Sequence, residues 1–202
     1  MTMFQRVQIV LILLCTASVV LAQVPRDPCE LSTYKKGCYL SIGKSAERNG
    51  KPREAWEYYM RALREGGRVA SAVDPRTGRT LVWAEDHAAN QEIIEKLITL
   101  RNKIQPHPQI SGEAYAAMQR GIAAVDNATS PKDFVAAEES FEAAVMLAPW
   151  WPDALLNLAY TRETIGAYAY AIQSFRLYLL AAPNADDSDK VRAKIEELKR
   201  NQ

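Results

Sequence analysis

Between Pro152 and Ala185 the small and apolar residues fall on a schedule that few folds can accept. Leu155, Leu158 and Ala159 recur at helical spacing, Gly166 interrupts the run, and Ala171, Phe175 and Tyr178 begin a second amphipathic stripe that Pro183 closes. A glycine between two stripes can supply the left-handed residue of a tight turn, and a proline lacks the amide that would carry the second helix on. The segment therefore predicts a helix, a turn and a second helix packed back onto the first. Upstream, Ala137, Phe141, Ala144 and Pro149 repeat the second-helix pattern, with Tyr115, Met118 and Ile122 as the stripe of its first helix. A further copy starts at Lys36, where Tyr39, Ile42, Gly43, Ala46, Gly50, Ala55, Tyr59 and Ala62 hold the register and Gly67 stands in place of the closing proline.

These residues resemble the tetratricopeptide repeat (TPR), a helix pair of about 34 residues in which small side chains let the two helices approach closely. The last unit matches most fully. The middle one needs about three more residues in its turn, from Asp126 to Lys132, and has Gln119 where the family prefers Gly or Ala. The phrase Leu147-Ala148-Pro149-Trp150-Trp151-Pro152-Asp153-Ala154 and the helix expected from Asp187 to Lys199 are similar to exported bacterial members of this family. The resemblance implies an all-α fold, a TPR-like helical-hairpin solenoid with units at residues 36–69, 112–151 and 152–185 and a capping helix at 186–202. Residues 70–111 read as an insertion: a small β-hairpin turning at Asp74 to Arg79, then a helix on the stripe Ile93, Leu97, Leu100 and Ile104, ended by Gln105-Pro106-His107-Pro108.

A stack of such hairpins shares one continuous core and leaves a concave face lined by the first helix of each pair. By resemblance to the family, that face takes Leu40 and Lys44, Ala116 and Arg120, and Leu156 and Tyr160. The family's carboxylate-clamping groove uses Lys and Asn at several of these positions; Asn157 is present here, but Leu156 and Tyr160 favour a partly apolar peptide. The resemblance thus implies a non-enzymatic adaptor or scaffold that binds a protein or peptide partner through Leu40, Lys44, Arg120, Leu156 and Tyr160, with no cofactor, no metal and no catalytic residue. The alternative is a module for envelope glycan, with Trp83, Trp150, Trp151 and Tyr160 stacking on sugar rings. Packing in the inter-repeat turn is the expected use of Trp150 and Trp151.

The first residues read as an address. Arg6 precedes an apolar stretch from Val7 to Val20, and Val20-Leu21-Ala22 offers a cleavage site, so residues 1–22 are expected to be a signal peptide and residues 23–35 an N-terminal segment. Retention as an anchor is the competing reading, against which stands an apolar core of about fourteen residues where a span needs about twenty. Export to the periplasm or another extracytoplasmic space would permit a disulfide. Only Cys29 and Cys38 survive cleavage; a bridge between them would contribute ~2 to 3 kcal/mol on the loop-entropy model, the other reading being two buried thiols.

Without Arg6 the chain is neutral, with 24 basic and 24 acidic residues, which together with export disfavours nucleic acid. The distribution is uneven: residues 26–84 carry 12 Lys and Arg against 7 Asp and Glu, and residues 85–202 carry 12 against 17. That asymmetry suits an oriented encounter or head-to-tail self-association. Known reactive motifs do not fit. Gly43-Lys44-Ser45 lacks the upstream glycine spacing of a phosphate loop, His87 and His107 are isolated in sequence, and Glu138, Glu139 and Glu142 on one helix face read as solvated. Asn127-Ala128-Thr129 has the form of a glycosylation acceptor but reads as a polar turn.

Overall fold

The computed structural model describes residues 27–65, 72–73, 80–81 and 84–200. Residues 1–26, and with them the expected signal peptide, lie outside the described residues, as do Gly67, Trp83 and the expected hairpin turn. The chain divides into two units, Met1–Lys35 and Lys36–Gln202. In the first, a short turn is held by Asp27, whose carboxylate accepts the Cys29 amide at 2.9 Å, and by the Ser32 amide on the Cys29 carbonyl at 3.1 Å. Cys29 and Cys38 are both disulfide-bonded.

The second unit is an all-α helical repeat. Its helices are α1 (Lys35–Arg48), α2 (Pro52–Glu65), α3 (Ala84–Arg101), α4 (Gly112–Asp126), α5 (Phe134–Leu147), α6 (Pro152–Thr164), α7 (Tyr168–Ala181) and α8 (Ser188–Arg200). Between α2 and α3, Ala72–Val73 and Thr80–Leu81 pair antiparallel as a minimal two-stranded ladder. No helix among the described residues is long and apolar enough to cross a membrane.

The first and third hairpins, α1–α2 and α6–α7, turn by the same device. Gly50 (φ 69°) and Gly166 (φ 75°) adopt left-handed backbone, and the next residue's amide reaches back five positions: Lys51 to Ala46 at 3.0 Å, Ala167 to Arg162 at 2.8 Å. This satisfies a helix-terminal carbonyl that would otherwise be orphaned, and glycine adopts that backbone without a Cβ penalty. The second hairpin, α4–α5, has no glycine there. Its turn passes through a 3-10 segment, Pro131–Asp133, and is organised by the Asp133 carboxylate, which accepts the amides of Thr129 (2.9 Å) and Ser130 (2.8 Å) and both their hydroxyls. Those donors, backbone Thr129 foremost, hold the Asp133 carboxyl below its ordinary range.

The paired helices approach closely where one of them is smallest. A Cβ on Gly43 would stand 2.8 Å from Tyr59 Cε1, and one on Gly121 only 2.4 Å from Phe141 Cε1. Gly43 precedes its ring by sixteen residues and Gly121 by twenty, while the fully buried Ala159 precedes Phe175 by sixteen. The register of the second hairpin is therefore set by Gly121, not by Gln119, and its turn holds four extra residues. This corrects the expected stripe. The buried residues of α4 are Ala114, Ala117, Met118 and Gly121, whereas Tyr115 is 50% exposed and Ile122 half-buried.

Helix α3 packs against α2 and against α7. It is buried along two flanks, through Ile93, Leu97 and Leu100 and through Ile94 and Ile98. Ile94 lines a crevice with Val145, Leu155, Leu158 and Leu177 of the second and third hairpins. The helix thus links the first hairpin to the last, and Trp56 of α2 meets Trp150 at 5.2 Å between ring centroids. At the other end α8 closes the core with Val191, Ile195 and Leu198 while its remaining faces stay polar. It is tied back by Lys194 to Glu163 at 3.0 Å and by the Tyr178 hydroxyl to Asp187.

Candidate functional site

The sequence-predicted positions fall in three places. Leu40 and Lys44 line an open crevice of about 680 Å³ between α1 and α3. Lys44 pairs there with Glu92 at 2.8 Å. Beside it, Glu47 accepts the Tyr59 hydroxyl at 2.8 Å and both carboxylate oxygens meet Lys96 at 3.2 and 3.1 Å. Burial alone would raise the Glu47 carboxyl, but the hydrogen bonds from Tyr59 and Lys96 and the lysine charge outweigh it and hold the group below its ordinary value. Tyr59, buried and beside that carboxylate, is pushed up. The first hairpin's face is therefore already engaged by α3.

Arg120 is exposed but belongs to a different flank. Counted from Gly43, Gly121 and Ala159, it corresponds to Ile42 and Leu158, not to Lys44 and Tyr160; the residue that corresponds to those is Ile122. This corrects the second hairpin's contribution, and the physical reason is the helix approach at Gly121. In that register the positions expected on the groove side of α4 are Tyr115, the buried Met118, Ile122, Val125 and Asp126, and their counterparts on α6 are Asp153, Leu156, Tyr160, Glu163 and Thr164.

Two exposed tyrosines, Tyr115 and Tyr160, each stand against a buried aromatic ring. Tyr115 meets Trp151 edge-on, 4.8 Å between centroids at 60°. The Trp151 indole N–H donates to Asp153 Oδ2 at 3.3 Å. Asp153 and Tyr160 both lie near the Tyr178 hydroxyl, which donates to Asp187; burial first, then that bond and the neighbouring charges, push Tyr178 up to about 12. Tyr160, 44% exposed, stands edge-on to the buried Phe175 at 5.1 Å and 84°. Leu156 is half-buried between the two tyrosines in sequence.

Among the described members of the glycan-stacking set, the two neighbouring tryptophans are not open to a ligand. Trp150 and Trp151 are 5% and 8% exposed, occupied by Trp56 and Tyr115, so they serve the core as inter-repeat packing. Glu138 and Glu142 are also not the solvated pair expected from their helix face. Arg162 Nε meets Glu138 at 3.1 Å, Nη2 meets Glu142 at 2.9 Å, and Nη1 donates to the buried Ser174 hydroxyl at 2.9 Å. Arg162 also lies over the Tyr170 ring at 5.7 Å. One guanidinium thereby joins α5, α6 and α7, a linkage absent from the sequence reading because its partners sit in different repeats. His107 shares its ring nitrogens with the Arg101 carbonyl and the Gln105 amide.

No protein-family model matches the chain, and no curated protein matches it. Among solved structures, one titled "MamA RS-1 ArsTM double mutant" aligns over 83% of this chain and 96% of that one, at 17% identity and a TM-score of 0.33. So loose an overlap carries no inference about partner or site.

Proposed function

We propose that the chain is a non-enzymatic adaptor of the tetratricopeptide type, exported from the cytoplasm, that holds a protein segment on the groove face of α4 and α6. The observation that carries this reading is the pair of exposed tyrosines, each fixed edge-on against a buried aromatic ring. An aromatic side chain held in place before binding loses little conformational entropy when a partner covers it, so it can anchor a contact at low cost. Leu156 and Tyr160 keep the role expected of them, and Ile122 with Tyr115 takes the place given to Arg120. Leu40 and Lys44 line the α1–α3 crevice, where Lys44 is paired with Glu92 of α3.

The test is capture from an envelope extract of the source cells by the wild-type chain and by a Tyr115→Ala, Tyr160→Ala double variant of equal melting temperature. The reading expects a defined set of captured proteins that the double variant loses. An unchanged set would place binding elsewhere on the molecule. Export is tested separately: a reporter fused after Ala22 should leave the cytoplasm, and its retention there would refute that part of the reading.

A further inference from the structure

The charges bordering the groove say what kind of segment fits it. On α4 and α6 the basic side chains are Arg120 and Arg162; the first lies on another flank and the second is buried among Glu138, Glu142 and Ser174. The charged positions in the groove register are Asp126, Asp153 and Glu163. Lys194 offsets Glu163 but is shared with Glu197 at 3.1 Å, and Asp187 stands behind Tyr178. The surrounding half of the chain carries 17 acidic against 12 basic residues. Apolar area comes from Ile122, Leu156 and the two tyrosine faces.

Resting on the adaptor reading above, we infer that this face takes a cationic, partly apolar peptide segment of a protein partner, its Lys or Arg side chains beside Asp153 and Asp126 and its apolar residues against Tyr115, Leu156 and Tyr160. Exposed phenol faces next to carboxylates suit a cation twice over, through the ring quadrupole and through charge. An anionic segment, including a chain's C-terminal carboxylate, meets like charge on the same surface, and like-charge juxtaposition is strongly disfavoured at an interface.

Fluorescence anisotropy with three labelled peptides of one apolar pattern, carrying Lys and Arg, Gln, or Glu at the intervening positions, tests this on the mature chain. The basic peptide should bind more tightly than the Gln peptide by about tenfold, the Glu peptide should not bind, and added salt should shrink the difference. Asp126→Asn with Asp153→Asn should weaken the basic peptide about tenfold and leave the Gln peptide unchanged, whereas Tyr160→Ala should weaken both. Equal binding of all three peptides, still sensitive to Tyr160→Ala, would overturn the charge inference and leave the adaptor reading standing. No binding of any peptide, with partners still captured independently of Tyr115 and Tyr160, would refute both. Salt-sensitive self-association that the double Asn variant abolishes, without peptide binding, would make the occupant a second copy and overturn the inference.

Discussion

Replacing Gly121 by alanine tests the helix approach that fixes the register of the groove. The new Cβ would lie 2.4, 2.5 and 2.8 Å from Cε1, Cδ1 and Cζ of Phe141, where ordinary carbon contacts are about 3.5 Å or longer. The ring must retreat by about 1 Å, and Phe141 is 1% exposed, so α4 and α5 must separate. Overpacking of a filled core costs about 1–3 kcal/mol, and alanine returns about 1 kcal/mol in helix propensity. We expect Gly121→Ala to lower stability by up to about 2 kcal/mol, a fall of up to roughly 8 °C for a chain of this size. Urea unfolding followed by circular dichroism measures it. Phe141→Leu in the same chain should recover part of the loss, with a coupling of at least about 0.5 kcal/mol. Gly112→Ala, where nothing lies within 4 Å of the new Cβ, is the control and should be neutral or slightly stabilising. If Gly121→Ala proved as harmless as Gly112→Ala, the close approach, and the register derived from it, would be wrong.

Removing Arg162 breaks its bonds to Glu138, 12% exposed, to Glu142 and to the buried Ser174, and Arg162→Met should cost about 3–5 kcal/mol in the same assay. Arg162→Lys should not restore it, because three different guanidinium nitrogens reach three partners; full rescue by lysine would contradict the network. The lowered Glu47 carboxyl makes its contribution to stability complete above the ordinary value of 4.5, and that contribution fades as pH falls through the lower folded value. Glu47→Gln should therefore flatten the acid limb of the stability profile, and an unaltered limb would remove Glu47 from the account. Mass spectrometry after alkylation should find no free thiol on an unreduced chain beginning at residue 23 and two after reduction; labelling without reductant would contradict the disulfide state of Cys29 and Cys38.

The first and third hairpins were legible because their turns depend on a glycine and their packing on a small residue sixteen positions before a ring. The second departs on both counts. Its turn is organised by the Asp133 carboxylate, which spacing does not reveal, so spacing alone sets the register two residues early and puts Arg120 where Ile122 belongs. The signal was present in Gly121, since a glycine inside a helix costs about 1 kcal/mol against alanine and persists where a neighbour needs the room. The second buried flank of α3 was visible in the doublets Ile93-Ile94 and Leu97-Ile98. That α3 joins α2 to α7 was not, nor was Arg162, because both depend on residues brought together only by the stacking of separate repeats. Trp150 and Trp151 show the converse: aromatic residues that could read as a recognition surface in the sequence are consumed by Trp56 and Tyr115 in the fold.

The most direct test of a groove that holds a protein partner is site-specific photo-crosslinking in the source cells. A photoreactive phenylalanine analogue in place of Tyr160 or Tyr115 should give the same discrete adduct, competed by excess unlabelled mature chain, while the analogue in place of Arg176, exposed on α7, should give none. Adducts at all three positions, or at position 176 alone, would contradict the account.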